Sequence, residues 1–365
     1  MTRPTHSFVN TRPAARALLF LAVLMAAGAA QASPRPGGAP QRIAVPLSPV
    51  IISERPDVVQ NSGVDAAQVK QMVNRSLMTF TSAPDIATAW QRLSITPQDV
   101  VGIKITTSGG PGLCTHPALV RAICEGLEAA GVPKTQIIIW DKFQEKMRPA
   151  GYPLHSATDG QPAVASVVPN NYDPATYYEN GLAGSLIWGD LQFPASLAPN
   201  FNDDERDRSY YTKLLTQTCT KIVNVPVLSY NESFGIDGCI SSLTLGSIDN
   251  NRRFQGPPTY GDPSIDEIFD QRFIRRKVVI HILDALVAQC AGGPDFNPLY
   301  CQGLGSIYVG RDPVAIDSLA LPRLERMRWF LKMPSVGNTS TYLTSASVLG
   351  LGTTDRRKIQ FLRVP

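Results

Sequence analysis

Six polar side chains occupy positions where the sequence predicts that strands end, and this placement suggests a binding or catalytic pocket. The predicted strands are "VGIKI", "IIIW", "VPVL" and "VVIHIL". In an open parallel sheet, ligands bind beyond the carboxyl ends of the strands, so residues that follow these strands are expected to converge. The six residues are Thr106, Ser108, Asp141, Ser229, Asn231 and Asp284.

These side chains are suited to orienting a small ligand. Hydroxyl and amide groups fix a ligand by hydrogen bonds. Asp141 and Asp284, if close together, could act in acid–base catalysis or hold a hard cation. The Asn224 amide could complete a third wall of the pocket or cap its own strand. Polar residues at strand ends also satisfy the backbone of turns, and the sequence leaves this alternative open.

Familiar catalytic and cofactor motifs do not identify a reaction. The loop "TTSGGPG" lacks the lysine of a P-loop and the glycine spacing of a dinucleotide-binding loop. No Gly-x-Ser-x-Gly motif is present. Cys114 and His116 could bind a soft metal, unless Cys114 forms a disulfide, and His281 is expected to pack inside a buried strand. The sequence therefore leaves any cofactor unidentified.

Strands that alternate with helices predict a layered α/β fold with a mostly parallel sheet. The segments "PDIATAWQRLSI" and "HPALVRAICEGLEAAG" have helical spacing, and "TQIIIWDK" is a continuous apolar strand. "CTKIVNVPVL" is predicted as one strand, and the strand in "IRRKVVIHILDAL" is predicted to end at Asp284. After "GSIYVG", Asp312 and Pro313 indicate the capped start of a helix. The sequence predicts a single domain over residues 46–365.

Residues 152–212 interrupt this pattern. They are rich in Pro, Asn, Asp, Tyr and Gly, with little periodicity. Compact domains seldom carry so long an irregular stretch without a functional or elaborative reason. We interpret the segment as an insertion, either a lid or wall of the pocket or a surface excursion with short strands.

The amino terminus has the order of a secretory signal peptide. Three arginines precede the apolar run "ALLFLAVLMAAGAA", and Ala30-Gln31-Ala32 fits a cleavage site. We expect cleavage after Ala32, a flexible lead-in over residues 33–45, and a periplasmic or secreted mature protein. An uncleaved anchor is the alternative, and no later segment is apolar enough for a membrane helix.

The basic charge of the chain comes largely from this segment. Without residues 1–32, 31 basic residues face 30 acidic ones. A near-neutral protein gives no electrostatic reason to expect nucleic acid or an anionic membrane as a partner. The expected partner is a small molecule of unknown identity.

Six cysteines lie beyond the signal segment, and an oxidising compartment favours disulfides. Cys290 and Cys301 flank the turn-rich loop "AGGPDFNPLY" and form the expected pair. On a chain-entropy estimate, closing this loop would contribute about 2–3 kcal/mol. Two buried free thiols are the alternative. The pairing of the other four cysteines, Cys114, Cys124, Cys219 and Cys239, stays open.

The order of segments resembles an uncharacterised family, domain of unknown function 362. The resemblance covers roughly residues 98–363 and is most specific at "GRDPVAIDSLAL" and "LGLGTTDRRKI". Family members are often exported, and some carry an added ferredoxin-like iron–sulfur domain, to which nothing in this sequence is similar.

The chain departs from the family pattern at two places. Ser229 and Asn231 stand where the family commonly has lysine and histidine after the "VPVL" strand, and Ser241 and Ser242 stand where it commonly has Lys-Asn. The departures imply a less anionic ligand, or the loss of an ancestral activity. We therefore expect an enzyme or small-ligand-handling protein of unknown reaction, with a non-catalytic periplasmic binding or assembly protein as the alternative.

Overall fold

The computed structural model describes residues 47–60, 63–180 and 208–365. The predicted signal peptide, the lead-in and residues 181–207 of the predicted insertion lie outside the described residues. None of the helices in the described ranges is both long and apolar enough to cross a membrane.

One large sheet organises the described residues, and most of its strands are parallel. Its order is β14-β1-β13-β12-β9-β4-β5-β6, with β10 paired to β12 and β11 paired to β10. Only β13 and β11 run antiparallel to their neighbours. Together with the smaller pairings, the strands are β1 (Ser48–Glu54), β2 (Val59–Gln60), β3 (Gly63–Val64), β4 (Val101–Ile105), β5 (Ile137–Asp141), β6 (Ala163–Ser166), β7 (Tyr172–Glu179), β8 (Arg208–Thr212), β9 (Lys221–Val225), β10 (Val227–Asn231), β11 (Gly235–Asp237), β12 (Val278–Gly293), β13 (Cys301–Gly310) and β14 (Ile359–Val364).

Helices cover both faces of the sheet, which confirms the predicted α/β class. The helices are α1 (Ala66–Thr81), α2 (Ile86–Arg92), α3 (Pro117–Ala129), α4 (Gln144–Met147), α5 (Cys239–Thr244), α6 (Ser264–Phe269), α7 (Arg272–Lys277), α8 (Pro313–Phe330) and α9 (Tyr342–Val348). The first three contribute to one apolar core, and α5 to α9 contribute to the other. Burial of both faces explains why the central strands are continuously apolar.

The alternation of side chains along β4 sets up the pocket. Ile103 and Ile105 pack into the core that contains α3. Lys104 lies between them and points to the opposite face, where it contacts Ser242 of α5. Successive residues of a strand face opposite sides, so one residue in an apolar strand delivers a cation into the α5 layer.

Strand β12 is longer than the sequence predicts. It runs through Asp284 to Gly293, pairing in parallel with β9 in its first part and with β10 in its second, and antiparallel with β13. The prediction that the strand ends at Asp284 is wrong. Its second half stays in the sheet because β10 and β13 supply hydrogen-bonding partners on both sides.

The segment "CTKIVNVPVL" forms two strands rather than one. Pro226 lies between β9 and β10 and has no amide hydrogen to donate, while its carbonyl accepts a hydrogen bond from the amide of Asp284 at 2.8 Å. β9 pairs with β4, whereas β10 pairs with the second half of β12. Ser229 and Asn231 are therefore strand residues and do not follow a strand end.

Regular structure occupies much of the described part of residues 152–212. β6 extends the main sheet beside β5, and β7 pairs with β8. The described part of this segment therefore carries short strands, and β6 belongs to the central sheet.

The predicted disulfide between Cys290 and Cys301 is not formed in this structure, where both residues are free thiols. Cys301 lies opposite Gln289 in the β12–β13 pairing, and its Sγ contacts Gln289 Oε1 at 3.3 Å. Cys290 is the next residue along β12, so its side chain points to the other face of the sheet.

We predict that Asp312→Ala destabilises the protein more than Asp85→Ala. Asp312 caps α8 through the Ala315 amide at 2.8 Å and also accepts hydrogen bonds from Ser48 Oγ and the Thr353 amide. Asp85 is an exposed cap of α2. Loss of the exposed Asp85 cap should lower the free energy of unfolding by about 1 kcal/mol. Loss of the half-buried Asp312 cap should lower it by about 2–3 kcal/mol. Urea unfolding measures both, and equal losses would contradict the prediction.

Candidate functional site

A pocket of about 220 Å³ opens at the carboxyl ends of β4 and β5. The loops that follow these two strands form one side. The opposite side is formed by α5 and by residues 251–255. Its polar lining residues are Lys104, Thr106, Thr107, Ser108, Asp141, Lys142, Lys146, Asn231, Asp237, Ser241, Ser242, Asn251, Arg252 and Gln255. The location agrees with the general preference of α/β folds for ligand sites at strand ends.

Lys104 forms a buried ion pair at the base of this pocket. Its side chain is 1% exposed, and Nζ donates to Asp141 Oδ1 at 2.9 Å. Nζ also donates to the Ile105 carbonyl at 2.6 Å and to Ser242 Oγ at 3.3 Å. An ammonium group has three hydrogens, so all its donors are engaged within the protein. Lys104 is therefore a fixed cation with no donor left for a ligand.

Gly246 provides the space that Lys104 occupies. A Cβ at this position would lie 2.9 Å from Lys104 Nζ and 2.3 Å from the Ser242 carbonyl oxygen. Any larger residue at position 246 would have to displace the ammonium or the backbone of α5. The glycine is therefore required by close approach at the pocket floor.

Asp141 orients the loop after β4 as well as pairing with Lys104. Its Oδ2 accepts hydrogen bonds from the Thr107 amide at 2.7 Å and from Thr107 Oγ1 at 2.6 Å. Thr106 Oγ1 lies 2.9 Å from Ser242 Oγ, which joins the loop to α5. The ion pair and these hydrogen bonds hold the two sides of the pocket together.

Lys142 is the cation in the pocket lining that has no hydrogen-bond partner at its amine. The residue is 4% exposed, and its Nζ is fully buried. Removal of the ammonium from water lowers the pKa of Lys142 to about 7. Asp249 and Asp141 attract the ammonium, whereas Lys104 and Arg252 repel it. Near neutral pH the group is therefore divided between its charged and neutral forms.

Asp237 is the second carboxylate of the pocket. Ser241 Oγ donates to its Oδ1 at 2.8 Å. Burial raises the pKa of Asp237 to about 6, although the Ser241 hydrogen bond and the charge of Lys104 oppose the rise. Lys142 and Asp237 thus both titrate close to neutrality, which is typical of groups that exchange protons with a substrate.

Several of the residues predicted from the sequence lie together in this pocket. Thr106, Ser108, Asp141 and Asn231 all line it. Ser241 and Ser242, which stand where the family commonly has Lys-Asn, also line the pocket. Asn231 reaches the pocket from the end of β10, and its Oδ1 accepts a hydrogen bond from the Ser233 amide at 2.8 Å.

The structure does not bring all predicted residues into one pocket. Asp284 lies within β12 and points to the face that carries α3, where it accepts hydrogen bonds from the amide and Nδ1 of His116, both at 2.8 Å. Asp141 and Asp284 therefore do not form a carboxylate pair. Ser229 lies opposite Asp237 in the β10–β11 pairing and is absent from the lining.

Asn224 and His281 form a buried contact below the pocket. Asn224 Nδ2 donates to the Cys239 carbonyl at 2.8 Å and lies 3.0 Å from His281 Nδ1. Burial lowers the pKa of His281 to about 3, so the ring is neutral and packs in the interior. Asn224 supports the start of α5 instead of lining the pocket.

The remaining candidate metal ligands have other partners. His116 is bound to Asp284, and Cys114 Sγ contacts the Ala150 carbonyl at 3.9 Å. Burial raises the pKa of the Cys114 thiol to about 12. Within residues 47–60, 63–180 and 208–365, no group of three His, Cys, Asp or Glu side chains could hold a metal ion.

Sequence reasoning missed the cations of the pocket. Replacement of family lysines by hydroxyls suggested a weakly cationic site, but Lys104, Lys142, Lys146 and Arg252 all line it. Lys104 lies inside a strand whose other four residues are nonpolar, so the pattern did not indicate a functional cation. The one available signal was the pair Asp141-Lys142 at the end of "IIIWDK", where a lysine follows a buried strand.

Residues 206–322 match the family model described as domain of unknown function DUF362, which confirms the resemblance over that part of the chain. A search of curated proteins found no match. A crystal structure of a Thermotoga maritima protein, a structural genomics target, is similar at 10% identity over 80% of this chain, with a TM-score of 0.38. The chain spans 60% of that protein's length. The family match includes Asp237 and α5 but not Lys104, Asp141 or Lys142.

We predict strong coupling between Lys104 and Asp141. Lys104→Met and Asp141→Asn should each destabilise the protein by about 3–5 kcal/mol, because each leaves the other charge buried without its partner. The free energy of unfolding of the double variant should fall by much less than the sum of the losses in the two single variants.

Urea unfolding of the four proteins measures this coupling. Lys70→Met is a matched control, because the Lys70–Glu125 pair is exposed and should contribute less than 1 kcal/mol. Losses that add within about 0.5 kcal/mol would contradict a coupled pair.

Proposed function

We propose that this chain, a member of the DUF362 family through residues 206–322, is an exported protein that binds a small organic anion in the pocket beside Lys142. The observation that carries the proposal is Lys142, a pocket-lining residue whose buried amine has no hydrogen-bond partner. A buried polar group without a partner is costly, and a ligand that accepts its hydrogen bonds would remove that cost.

The charges around the pocket favour an anion over a cation. Lys104 and Asp141 neutralise each other, and Lys146 at the rim pairs with Asp295 at 2.8 Å. Lys142 is then the lining cation whose amine has no hydrogen-bond partner, and Asp237 is the other lining carboxylate. Because the pKa of Asp237 is raised to about 6, its negative charge is weakened below neutral pH. An anionic ligand would gain from the positive charge of Lys142.

The dimensions and polarity of the pocket support a ligand of few atoms. A volume of about 220 Å³ is below the range of drug-sized sites. The hydroxyl of Ser108, and whichever of Thr106 and Ser242 accepts in their mutual hydrogen bond, can donate to the oxygens of a short carboxylate or phosphate ester. We infer a short oxygen-rich acid as the ligand class.

Two titrating groups in one pocket support an enzyme more than a passive binding protein. A general acid or base works best when its pKa lies near the working pH, as for Lys142 and Asp237. The alternative of an assembly protein is favoured by Trp329 and Phe330, which are 72% and 65% exposed at the end of α8. Concentration-dependent association that Trp329→Ser abolishes would support that alternative.

Export is proposed from the order of residues 1–32. The mature protein should begin at Ser33, and intact mass spectrometry of periplasmic or secreted protein would measure this. Protein from that compartment with an intact Met1 would contradict cleavage. An oxidising compartment would also permit the predicted Cys290–Cys301 disulfide, which linked peptides from unreduced protein would reveal.

We predict that malonate, as a probe anion, binds more tightly at pH 6 than at pH 8. Lys142 loses its charge as the pH rises through about 7, and Asp237 gains a negative charge above about 6, so both changes weaken anion binding. The charged fraction of Lys142 falls from about nine-tenths to about one-tenth, which should reduce affinity about tenfold.

Calorimetry of the wild-type protein and two variants measures this dependence. Lys142→Met should weaken binding at pH 6 and remove most of the pH effect. The control Lys70→Met changes an exposed lysine far from the pocket lining and should keep the wild-type profile. Affinity that rises with pH, or no malonate binding at pH 6, would contradict the proposed anion site.

A further inference from the structure

Lys142 differs from the other pocket lysines in what its amine can do. Lys104 has its three donors engaged, and Lys146 is an exposed lysine paired with Asp295. Lys142 lines the cavity, and its buried amine has no hydrogen-bond partner. It is therefore the pocket lysine whose nitrogen is not held by a hydrogen bond to the protein.

Burial of Lys142 favours loss of its proton. Its position puts the amine near Lys104 and Arg252, which repel an ammonium, and near Asp249 and Asp141, which attract it. Asp141 is already occupied by Lys104 and Thr107. A lysine that is desolvated or close to another cation is activated as a nucleophile.

Asp249 is the carboxylate whose charge acts most strongly on Lys142. Its Oδ1 accepts the Tyr210 amide at 2.5 Å, whereas its Oδ2 is buried without a hydrogen-bond partner. Burial raises the pKa of Asp249 to about 7. Lys142 and Asp249 can therefore both be neutral near pH 7, which avoids the cost of two buried charges without hydrogen-bond partners.

We propose that the Lys142 amine is a nucleophile that forms an imine with a short oxo acid held in the pocket. This inference rests on the proposed anion site, since the carboxylate of the oxo acid is the group that the pocket cations bind. It adds a covalent reaction, a nucleophile and a substrate class. The hydroxyl of Ser242 lies at the same pocket and can donate to the carbonyl oxygen when Thr106 is the donor in their mutual hydrogen bond.

The reaction balances without an oxidant, a reductant or another reactant. The nitrogen lone pair of neutral Lys142 forms a bond to the carbonyl carbon, and the carbonyl π electrons move to oxygen, which takes a proton. The resulting carbinolamine then loses its oxygen as water, with both hydrogens supplied by the original amine through proton transfers. The product is a carbon–nitrogen double bond between Lys142 and the substrate.

Reductive trapping tests the proposal directly. The full-length mature protein is incubated with pyruvate and cyanoborohydride, and the modified residue is located by peptide mass spectrometry. We expect one adduct per chain at Lys142. At saturating pyruvate, where binding no longer limits the reaction, the trapping rate should rise about tenfold between pH 6 and pH 8, following the neutral fraction of an amine with a pKa of about 7. Malonate should slow the reaction by competing for the pocket.

Two matched variants separate the nucleophile from the cation. Lys142→Arg keeps a positive charge that does not titrate, so it should bind malonate but form no adduct. Lys142→Met should lose both. Lys70→Met, which changes an exposed lysine, should be trapped like the wild-type protein. Butanone, a carbonyl compound without a carboxylate, should react more slowly than pyruvate.

The outcomes distinguish failure of the imine from failure of the anion site. If malonate binds as described but pyruvate leaves Lys142 unmodified, the imine proposal is wrong and the anion site stands. If adducts form on exposed lysines in proportion to exposure, and equally in Lys142→Arg, the imine proposal is also wrong. If malonate does not bind at all, the proposed function fails, whatever the trapping result.

Discussion

The pocket depends on one buried ion pair, between Lys104 of β4 and Asp141 at the end of β5. Removing two charges from water is expensive, and the cost is offset only when each charge has several well-placed partners. Here the ammonium uses all three hydrogens, and the carboxylate also binds the Thr107 amide and hydroxyl. The pair therefore fixes the loop after β4, the end of β5 and the start of α5 relative to one another. Gly246 completes the arrangement by leaving room for the ammonium.

Burial is the main cause of the unusual pKa values beside this pair, and the charges of the pair modify them. Burial lowers the pKa of Lys142, Asp141 opposes this change, and the repulsion from Lys104 adds to it. Lys104 also moderates the rise in the pKa of Asp237. The outcome is one amine and one carboxyl group that both titrate near neutrality in a single pocket. Burial thus brings both groups close to neutrality, while the ion pair, whose own hydrogen bonds are saturated, supports the pocket in which they lie.

The length of β12 explains why Asp284 does not lie in the pocket with Asp141, although the sequence predicts that the two residues converge. Its first part pairs with β9 and its second part pairs with β10. β12 therefore continues beyond the point where β9 ends. Asp284 lies where the partner of β12 changes from β9 to β10, and its side chain faces α3. There it forms hydrogen bonds with His116, which precedes the first residue of that helix. The carboxylate therefore stabilises the α3 layer, while the pocket forms on the α5 layer. Pro226, beside the position where β12 changes its pairing partner, separates β9 from β10.

The sequence alone determined the layered α/β class, the strand–helix alternation, the Asp312 cap and the family resemblance, because each depends on local periodicity or on a contiguous motif. It also located Thr106, Ser108 and Asp141 at strand ends, since those strands end where their apolar runs end. Only the tertiary structure decided where β12 ends and which face Asp284 occupies, because strand length depends on partners distant in the chain. It also decided that Lys104 and Lys142 are the central charges. Whether a lysine is solvated, paired or buried without a partner depends on groups brought together by folding, and no local pattern records this.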